Sequence, residues 1–296
     1  MAKDAKSAFC EDSRVKFPTL MHLMGMGFKY VSLKGLKTKY VEAPKTEFDP
    51  LTNILTDYFT DAYCTLNPKA EKKDAEDMLV KIQKSLQNDD LGRQFYNEIL
   101  LNTGERIIDL SSPANFYRNN TFQVTTEMTC GSKDSDNYRP DITIFVNGLP
   151  LAFIEVKKEN NHKGIQAETD RMKQRFVNPQ YRRFLNITQI MVFSNDMEYD
   201  NNEVTPTIGA FYATIGKKNT KYNCFREEGQ DSFPTARHIH QVTPEEEEVL
   251  LRDNNVPQYK NSSEYKTNCL ANTPTKRICD SLFSFNRFHF LLKYGI

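Results

Sequence analysis

The sequence predicts a mixed α/β or α+β domain, and three observations carry that prediction. Apolar side chains recur at helical spacing through the N-terminal third. Two short, almost wholly apolar runs rich in β-formers flank Asn147-Gly148. A basic, helix-like stretch then leads into another buried-looking strand.

In order along the chain, Val15, Phe17, Leu20, Met21, Leu23 and Met24 precede Gly25 and Gly27 and predict a first helix. Leu51, Ile54, Leu55, Tyr58 and Phe59 predict a second, residues 75–86 a third and residues 92–101 a fourth. Residues 105–110 and 121–128 read as strands, separated by Ser111-Ser112-Pro113 and Arg118-Asn119-Asn120. A hairpin follows over residues 139–161, because Asn and Gly both tolerate the positive φ of a tight turn. Its strands are apolar at nearly every position, as suits the middle of a covered sheet. A helix over 164–175 and strands over 189–194 and 208–215 complete the alternation. Thr243-Pro244-Glu245 opens a helix, with a threonine N-cap, proline in the first turn and acids at the positive end of the dipole. The run from Glu245 to Glu248 is therefore helix-start chemistry. Phe283, Phe285, Phe288, Phe290 and Leu291 make the last segment too apolar for a free tail.

Composition sets bounds. The chain has 296 residues, 39% of them hydrophobic, enough for one large domain or two smaller ones. The charged start lacks a signal peptide's apolar region and no run approaches a membrane span, so a cytoplasmic location is expected. The six cysteines form no CxxC pair, which argues against a zinc ribbon or disulfide framework and for free thiols. Lys plus Arg equals Asp plus Glu at 39 each, so nucleic-acid binding would need a local basic face.

The chemistry sits in the hairpin. Asp141 and Glu155 offer the hard oxygen ligands that Mg²⁺ takes, and Lys157, two residues beyond Glu155, shares its strand face. A cation held there can shield a phosphate and acidify a water, while the ammonium stabilises charge on the phosphorane. Carboxylates and a lysine inside apolar, sheet-centre strands are costly unless paired or bound to a metal; the bland alternative is a buried ion pair without catalysis. Strand parity adds a condition. A strict two-residue turn would pair Asp141 with Ile154 and turn it away from Glu155, so a three-residue loop or a bulge near Pro150 is expected.

Arg139-Pro140-Asp141, the phrase from Phe145 to Leu151 and Ile154-Glu155-Val156-Lys157 resemble the N-terminal nuclease domain of type I restriction enzyme R (restriction, or motor) subunits, and Ile108-Asp109-Leu110 with Pro113 fits the strand before them. Weaker similarity extends from Pro18 through Gly27-Phe28-Lys29-Tyr30 and Leu66-Asn67-Pro68 to Gly209-Ala210-Phe211-Tyr212 and Phe225-Arg226-Glu227. The resemblance implies a PD-(D/E)xK, restriction-endonuclease-like fold: a central mixed sheet flanked by helices, with a helical N-terminal region. It implies Asp141 and Glu155 as Mg²⁺ ligands, with Mn²⁺ as a substitute, and Lys157 as the catalytic lysine. An early-helix acid often joins such sites; Glu11 is the candidate, with Asp12 equally well placed in sequence. Many R subunits carry a Gln-x-x-x-Tyr element after the lysine. Here Gln166 fills the first position and Asp170 replaces the tyrosine.

The resemblance further implies double-stranded DNA as substrate and methyltransferase (modification) and specificity subunits as partners. The family's motor hydrolyses ATP, but no GxxxxGK[ST] phosphate loop occurs here, so ATP is expected only in a full-length subunit. The expected organisation is an endonuclease domain over 1–260, with a helical region over 1–103 and a catalytic core over 104–225, then a connector over 261–296 toward a motor.

Lys157, Lys158, Lys163, Arg171, Lys173, Arg175, Arg182 and Arg183 concentrate positive charge after the proposed site. Lys158, Arg171 and Arg175 are the expected DNA contacts, a solvated helix face being the alternative. His238-x-His240 has the spacing of a metal pair but lacks an obvious third ligand. Two functions from different classes remain: an endonuclease domain, or a non-catalytic DNA-binding and docking module. A stand-alone nuclease of the same fold is a third possibility, which the apolar C-terminal segment argues against.

Overall fold

The computed structural model describes residues 11–130, 138–157, 164–197 and 238–294, with the backbone alone of two strands at 211–214 and 221–224. The N-terminal region forms a short π-helical turn (Asp12–Lys16) running into α1 (Phe17–Gly25), then β1 (Lys29–Tyr30) and a small hairpin of β2 (Leu36–Lys37) and β3 (Glu42–Ala43). Helices α2 (Thr56–Leu66), α3 (Lys72–Ser85) and α4 (Pro113–Asn119) precede β4 (Phe122–Thr126), β5 (Ile142–Val146) and β6 (Leu149–Val156). After these come α5 (Gly164–Val177), α6 (Arg182–Ile187), β7 (Ile190–Ser194), β8 (Phe211–Thr214) and β9 (Lys221–Cys224). The chain closes with α7 (Pro244–Asp253), α8 (Ser263–Leu270), α9 (Pro274–Phe283) and α10 (Phe285–Tyr294).

Seven strands form one mixed sheet in the order β1-β4-β5-β6-β7-β8-β9. The β1–β4 and β6–β7 pairs are parallel and the rest antiparallel. Every residue of β4 to β7 is buried, which explains their nearly continuous apolar character. Successive side chains point to opposite faces. Ile154 and Val192 thus join the main core with α1, α9 and α10. Phe153, Met191 and Phe193 face a second core with Ile165 and Met172 of α5 and Phe184 of α6. Glu155 and Lys157 follow the parity of Phe153, toward α5.

Two expectations need correction. The second helix begins only at Thr56, because Asn53 takes a positive φ of 62° and its side-chain amide donates to Thr129 O. Residues 105–110 form no strand. Side-chain amides take the place of a neighbouring strand there: Asn67 Oδ1 accepts from the Arg106 amide, Asn147 Nδ2 donates to Ile107 O, and Asn120 Oδ1 accepts from the Asp109 amide. Residues 261–294, in the stretch expected as a connector toward a motor, are part of the packing of this domain. Phe283, Phe288 and Leu292 are buried in the main core, where Phe288 and Phe285 meet Phe28, Phe116 and Phe122. Thr275 of α9 also bonds Ser194 at the end of β7, at 2.6 Å.

The helix predicted at Thr243 has its expected threonine N-cap, and the Glu246 side chain reciprocates by accepting from the Thr243 amide. Cys64, Cys130, Cys269 and Cys279 are free thiols. Among the described residues no helix is long and apolar enough to cross a membrane.

Candidate active site

The β5–β6 hairpin sets the geometry. Its turn is the tight one, with Asn147 and Gly148 at φ 52° and 75° and Val146 paired to Leu149. A three-residue loop is therefore excluded, and the other expected device operates. Phe145 pairs with Pro150 but Ile144 pairs with Ala152, leaving Leu151 as an extra residue. Beyond this bulge Ile142 faces Ile154, and continuing the register one step sets Asp141 opposite Glu155. The turn is locked from outside: a Cβ at Gly148 would lie 2.5 Å from Leu55 O, and Asn147 bonds Thr121, Ile107 and Asn120.

Asp141, Glu155 and Lys157 converge. Lys157 Nζ lies 4.0 Å from Asp141 Oδ2 and 4.0 Å from Glu155 Oε2, and donates to Val156 O at 3.0 Å. The Lys157 amide donates to Ser194 O at 2.7 Å, extending the parallel pairing with β7. Glu155 is 5% exposed and its Oε1 is buried without a hydrogen bond of ordinary length, the Tyr138 hydroxyl lying near enough to favour its ionised form. Burial, followed by the charges of Asp141 and Glu168, pushes the Glu155 carboxyl well above its usual range. Lys157 is pulled the opposite way from its own burial, upward, by Asp141, Glu155, Glu11 and Glu168.

The N-terminal turn enters the same field. Glu11 has its carboxyl raised chiefly by burial, with Lys157 lowering and Asp141 raising it, which places it within electrostatic reach of both. Asp12 instead pairs with Lys16 at 2.8 Å. Lys16, 3% exposed, also pairs with Glu127 at 2.8 Å and lies 4.0 Å from Asp141 Oδ1. Burial opposes its charge, but Asp12, Glu127 and Asp141 together outweigh burial and raise its pKa. Sequence reasoning missed Lys16 and Glu127. The available signal was a lysine at a buried phase of an apolar helical run.

Helix α5 supplies Glu168 rather than Gln166. The buried face of α5 carries Gly164, Ile165, Glu168, Thr169 and Met172. Gln166 lies on the exposed face and its Nε2 donates to Asp170 Oδ1 at 3.1 Å, so the structure does not bring it to the cluster. Glu168 Oε2 stands 4.0 Å from Lys157 Nζ and accepts from Arg171 at 2.9 Å, while its Oε1 accepts from Arg175 at 3.0 Å. The Arg175 guanidinium also lies over the Tyr138 ring, 3.9 Å from its centroid. Of the expected DNA contacts, Arg171 and Arg175 therefore flank the cluster, and Lys158 lies outside the described residues.

The His238-x-His240 pair diverges and is no metal pair. His238 Nε2 meets His22 Nδ1 at 3.0 Å, and His240 meets Glu246 at 2.8 Å. The backbone of that segment holds Gly25, with Ile239 and His240 both donating to its carbonyl.

Among the described residues no three His, Cys, Asp or Glu side chains are already gathered as a cation cage. The donors nonetheless suit a hard divalent ion. Asp141, Glu155 and Glu11 offer only oxygen, and a buried carboxylate oxygen without a hydrogen bond of ordinary length is a group that a cation would satisfy.

A family model described as the type I restriction enzyme R protein N terminus matches residues 9–204 of this 296-residue chain. The chain belongs to that family. No curated protein matches it. The match to the R protein N terminus takes in the N-terminal turn, the bulged hairpin and α5, and so every side chain that surrounds Lys157. Its mixed sheet flanked by helices agrees with a restriction-endonuclease-like core. Helices α7 to α10 lie beyond the matched span, and yet close the main core of this R protein N terminus.

Proposed function

We propose that this domain is the Mg²⁺-dependent endonuclease of a type I restriction enzyme R subunit, cleaving phosphodiester bonds of double-stranded DNA by an activated water. The observation that carries the reading is the bulge at Leu151, which turns Asp141 to the face of the buried Glu155 and of Lys157. The same irregularity keeps Ile154 and Val156 on the main-core face with Ile142 and Ile144, with Leu151 buried there as well, so it serves packing and the carboxylate–lysine cluster together.

In this reading Asp141 and Glu155 hold the cation, Glu11 assists from the N-terminal turn, and Mn²⁺ substitutes for Mg²⁺. The bound cation supplies charge that shields the phosphate and acidifies a water. Lys157, kept charged by its carboxylate neighbours, presents its ammonium to the phosphate and stabilises the negative charge that grows during attack. The Val156 amide holds Asp141 by donating to Oδ2, so this carboxylate is oriented before any ligand arrives. Arg171 and Arg175 supply positive charge beside the strand end for the DNA backbone, and Lys158 is proposed to add to it. The partners proposed are the modification and specificity subunits, in the cytoplasm, with ATP used only by a motor elsewhere in the full-length subunit.

The test is calorimetric titration of Mn²⁺ and Mg²⁺ into the protein and into Asp141→Ala. Binding that is present in the natural sequence and lost in the variant supports the nuclease reading. Absence of binding in both leaves Lys157 as a buried ion-pair centre and favours a non-catalytic DNA-binding and docking module.

A further inference from the structure

Glu168 is an anion where helix packing alone would place an apolar residue. Its neighbours on the buried face of α5 are Ile165, Thr169 and Met172, and its side chain is 4% exposed. Three cations converge on this one carboxylate. Arg175 takes Oε1 at 3.0 Å, Arg171 takes Oε2 at 2.9 Å, and Lys157 stands 4.0 Å from Oε2. Two oxygens of one acid held between guanidinium groups is the arrangement in which a phosphate presents its two non-bridging oxygens.

The three cations are not held alike. Arg175 is anchored: its guanidinium lies over the Tyr138 ring, it contacts Met172 Sδ, and its side chain is largely covered. The Arg171 side chain is 61% exposed and turns back to Glu168 from the outer side. Lys157 is outside hydrogen-bonding distance of Glu168. Arg171 and Lys157 can therefore leave Glu168 at small cost, and Arg175 stays to keep the buried carboxylate compensated.

We propose that Glu168 is an internal stand-in for a DNA phosphate: it occupies the anion position formed by Lys157, Arg171 and Arg175, and an incoming phosphodiester takes over Arg171 and Lys157 while Arg175 remains with Glu168. The inference rests on the reading of this face as the DNA-binding side of a nuclease. It goes further in naming the internal competitor that DNA displaces. The exchange breaks and forms only ionic contacts, with no covalent step. Duplex DNA thus binds against an occupied site, and some of its electrostatic attraction is spent in displacing a carboxylate already there.

The experiment is fluorescence-anisotropy titration of a short labelled duplex at several salt concentrations, with a chelator present so that no divalent cation contributes. It compares the natural sequence with Glu168→Gln, Arg171→Ala and the double variant, each checked by thermal melting. Glu168→Gln is expected to bind several-fold more tightly, with the slope of log K against log salt steeper by about one charge. Arg171→Ala alone is expected to flatten that slope by about one, and in the double variant to reduce the gain to the share that Lys157 supplies.

A folded Glu168→Gln that binds no more tightly overturns the proposal. So does a gain left undiminished by loss of Arg171, or a duplex that none of the proteins binds. Should Glu168→Gln fail to fold, Arg171→Ala decides alone, and an unchanged salt slope overturns the proposal. Because the chelator makes this assay blind to metal, the cation titration into Asp141→Ala reports separately on the nuclease reading, and either result can fail without the other.

Discussion

The Val156 amide donates to Asp141 Oδ2 at 3.0 Å, joining the end of β6 to the side chain that precedes β5. The Asp141 carboxylate thus serves as the acceptor for the Val156 N–H where the paired strands end. The contact needs an oxygen but no charge. Asp141→Asn is therefore expected to retain the melting temperature of the natural sequence while losing Mn²⁺ binding in calorimetry. Asp141→Ala should lose both binding and about 1 kcal/mol of stability. An Asn variant that melts as early as the Ala variant would show that the carboxylate's charge, held against Lys16 and Lys157, matters more to folding than its hydrogen bond.

Lys157 competes with any cation for the same two carboxylates, since its ammonium is 4.0 Å from each. Replacing it with a chain of similar length and no charge removes that competitor. In the proposed mechanism it also removes the group that stabilises the phosphorane. Lys157→Met should bind Mn²⁺ more tightly than the natural sequence and cut DNA at least about 10²-fold more slowly, when assayed with its partner subunits. Weaker metal binding in this variant would mean that Lys157 organises the carboxylates, as in a structural ion pair.

Some of this site is legible in residue order and some is not. The pairing of Asp141 with Glu155 and Lys157 is legible because strand parity is a local rule, and it demands an irregularity before Asp141 can join the other two. Which irregularity is settled by contacts remote in sequence. The turn stays tight because Leu55 and Thr121 pack on Asn147 and Gly148, which forces the extra residue to Leu151. Gln166 is suggested by analogy with a motif, and the helical phase set by Ile165 and Met172 turns Glu168 inward in its place. Lys16 and Glu127 meet across 111 positions of sequence, a contact that no local pattern encodes. The strand expected at 105–110 fails for a related reason. Its apolar residues are buried as a strand's would be, but asparagine side chains satisfy its backbone.

Asp109 belongs to that asparagine-rich junction and gives it a pH dependence. It is 3% exposed and accepts from the Ser111 amide at 2.9 Å, from the Ser111 hydroxyl at 2.5 Å and from Asn119 Nδ2 at 2.8 Å. Burial alone would raise its pKa, but the bonds from Ser111 and Asn119, with Arg106 nearby, hold it below the usual carboxylate value. The folded state thus favours the ionised form more than the unfolded chain does. Its contribution is complete above the unfolded value of about 3.9 and is lost as pH falls through the lower folded one. Asp109→Ala should cost about 2–3 kcal/mol at pH 7, and the cost should shrink as acid protonates the carboxylate in the natural sequence. Urea melts of both proteins at pH 7 and across the acid limb measure this. A difference that stays constant with pH would assign the loss to the side chain's volume.

The last helices bear on where the domain ends. A chain stopped at residue 260 keeps every side chain around Lys157, and on sequence alone it looks like a complete nuclease core. It lacks Tyr265, Ile278, Cys279, Leu282, Phe283, Phe288 and Leu292, all buried in the main core beneath β4 to β7. Removing one large core side chain costs about 2–5 kcal/mol, and a whole domain holds only about 5–15. Loss of this segment strips Phe28, Phe116 and Phe122 of their contacts with Phe285 and Phe288, and Ser194 of Thr275. The 1–260 chain is therefore expected to be aggregation-prone, with no cooperative thermal transition and no near-ultraviolet circular dichroism, whereas the 1–296 chain melts cooperatively. A sharp melt from the shorter chain would mean that α8 to α10 dock onto a core able to stand without them. The cation titration could then be run on the smaller protein.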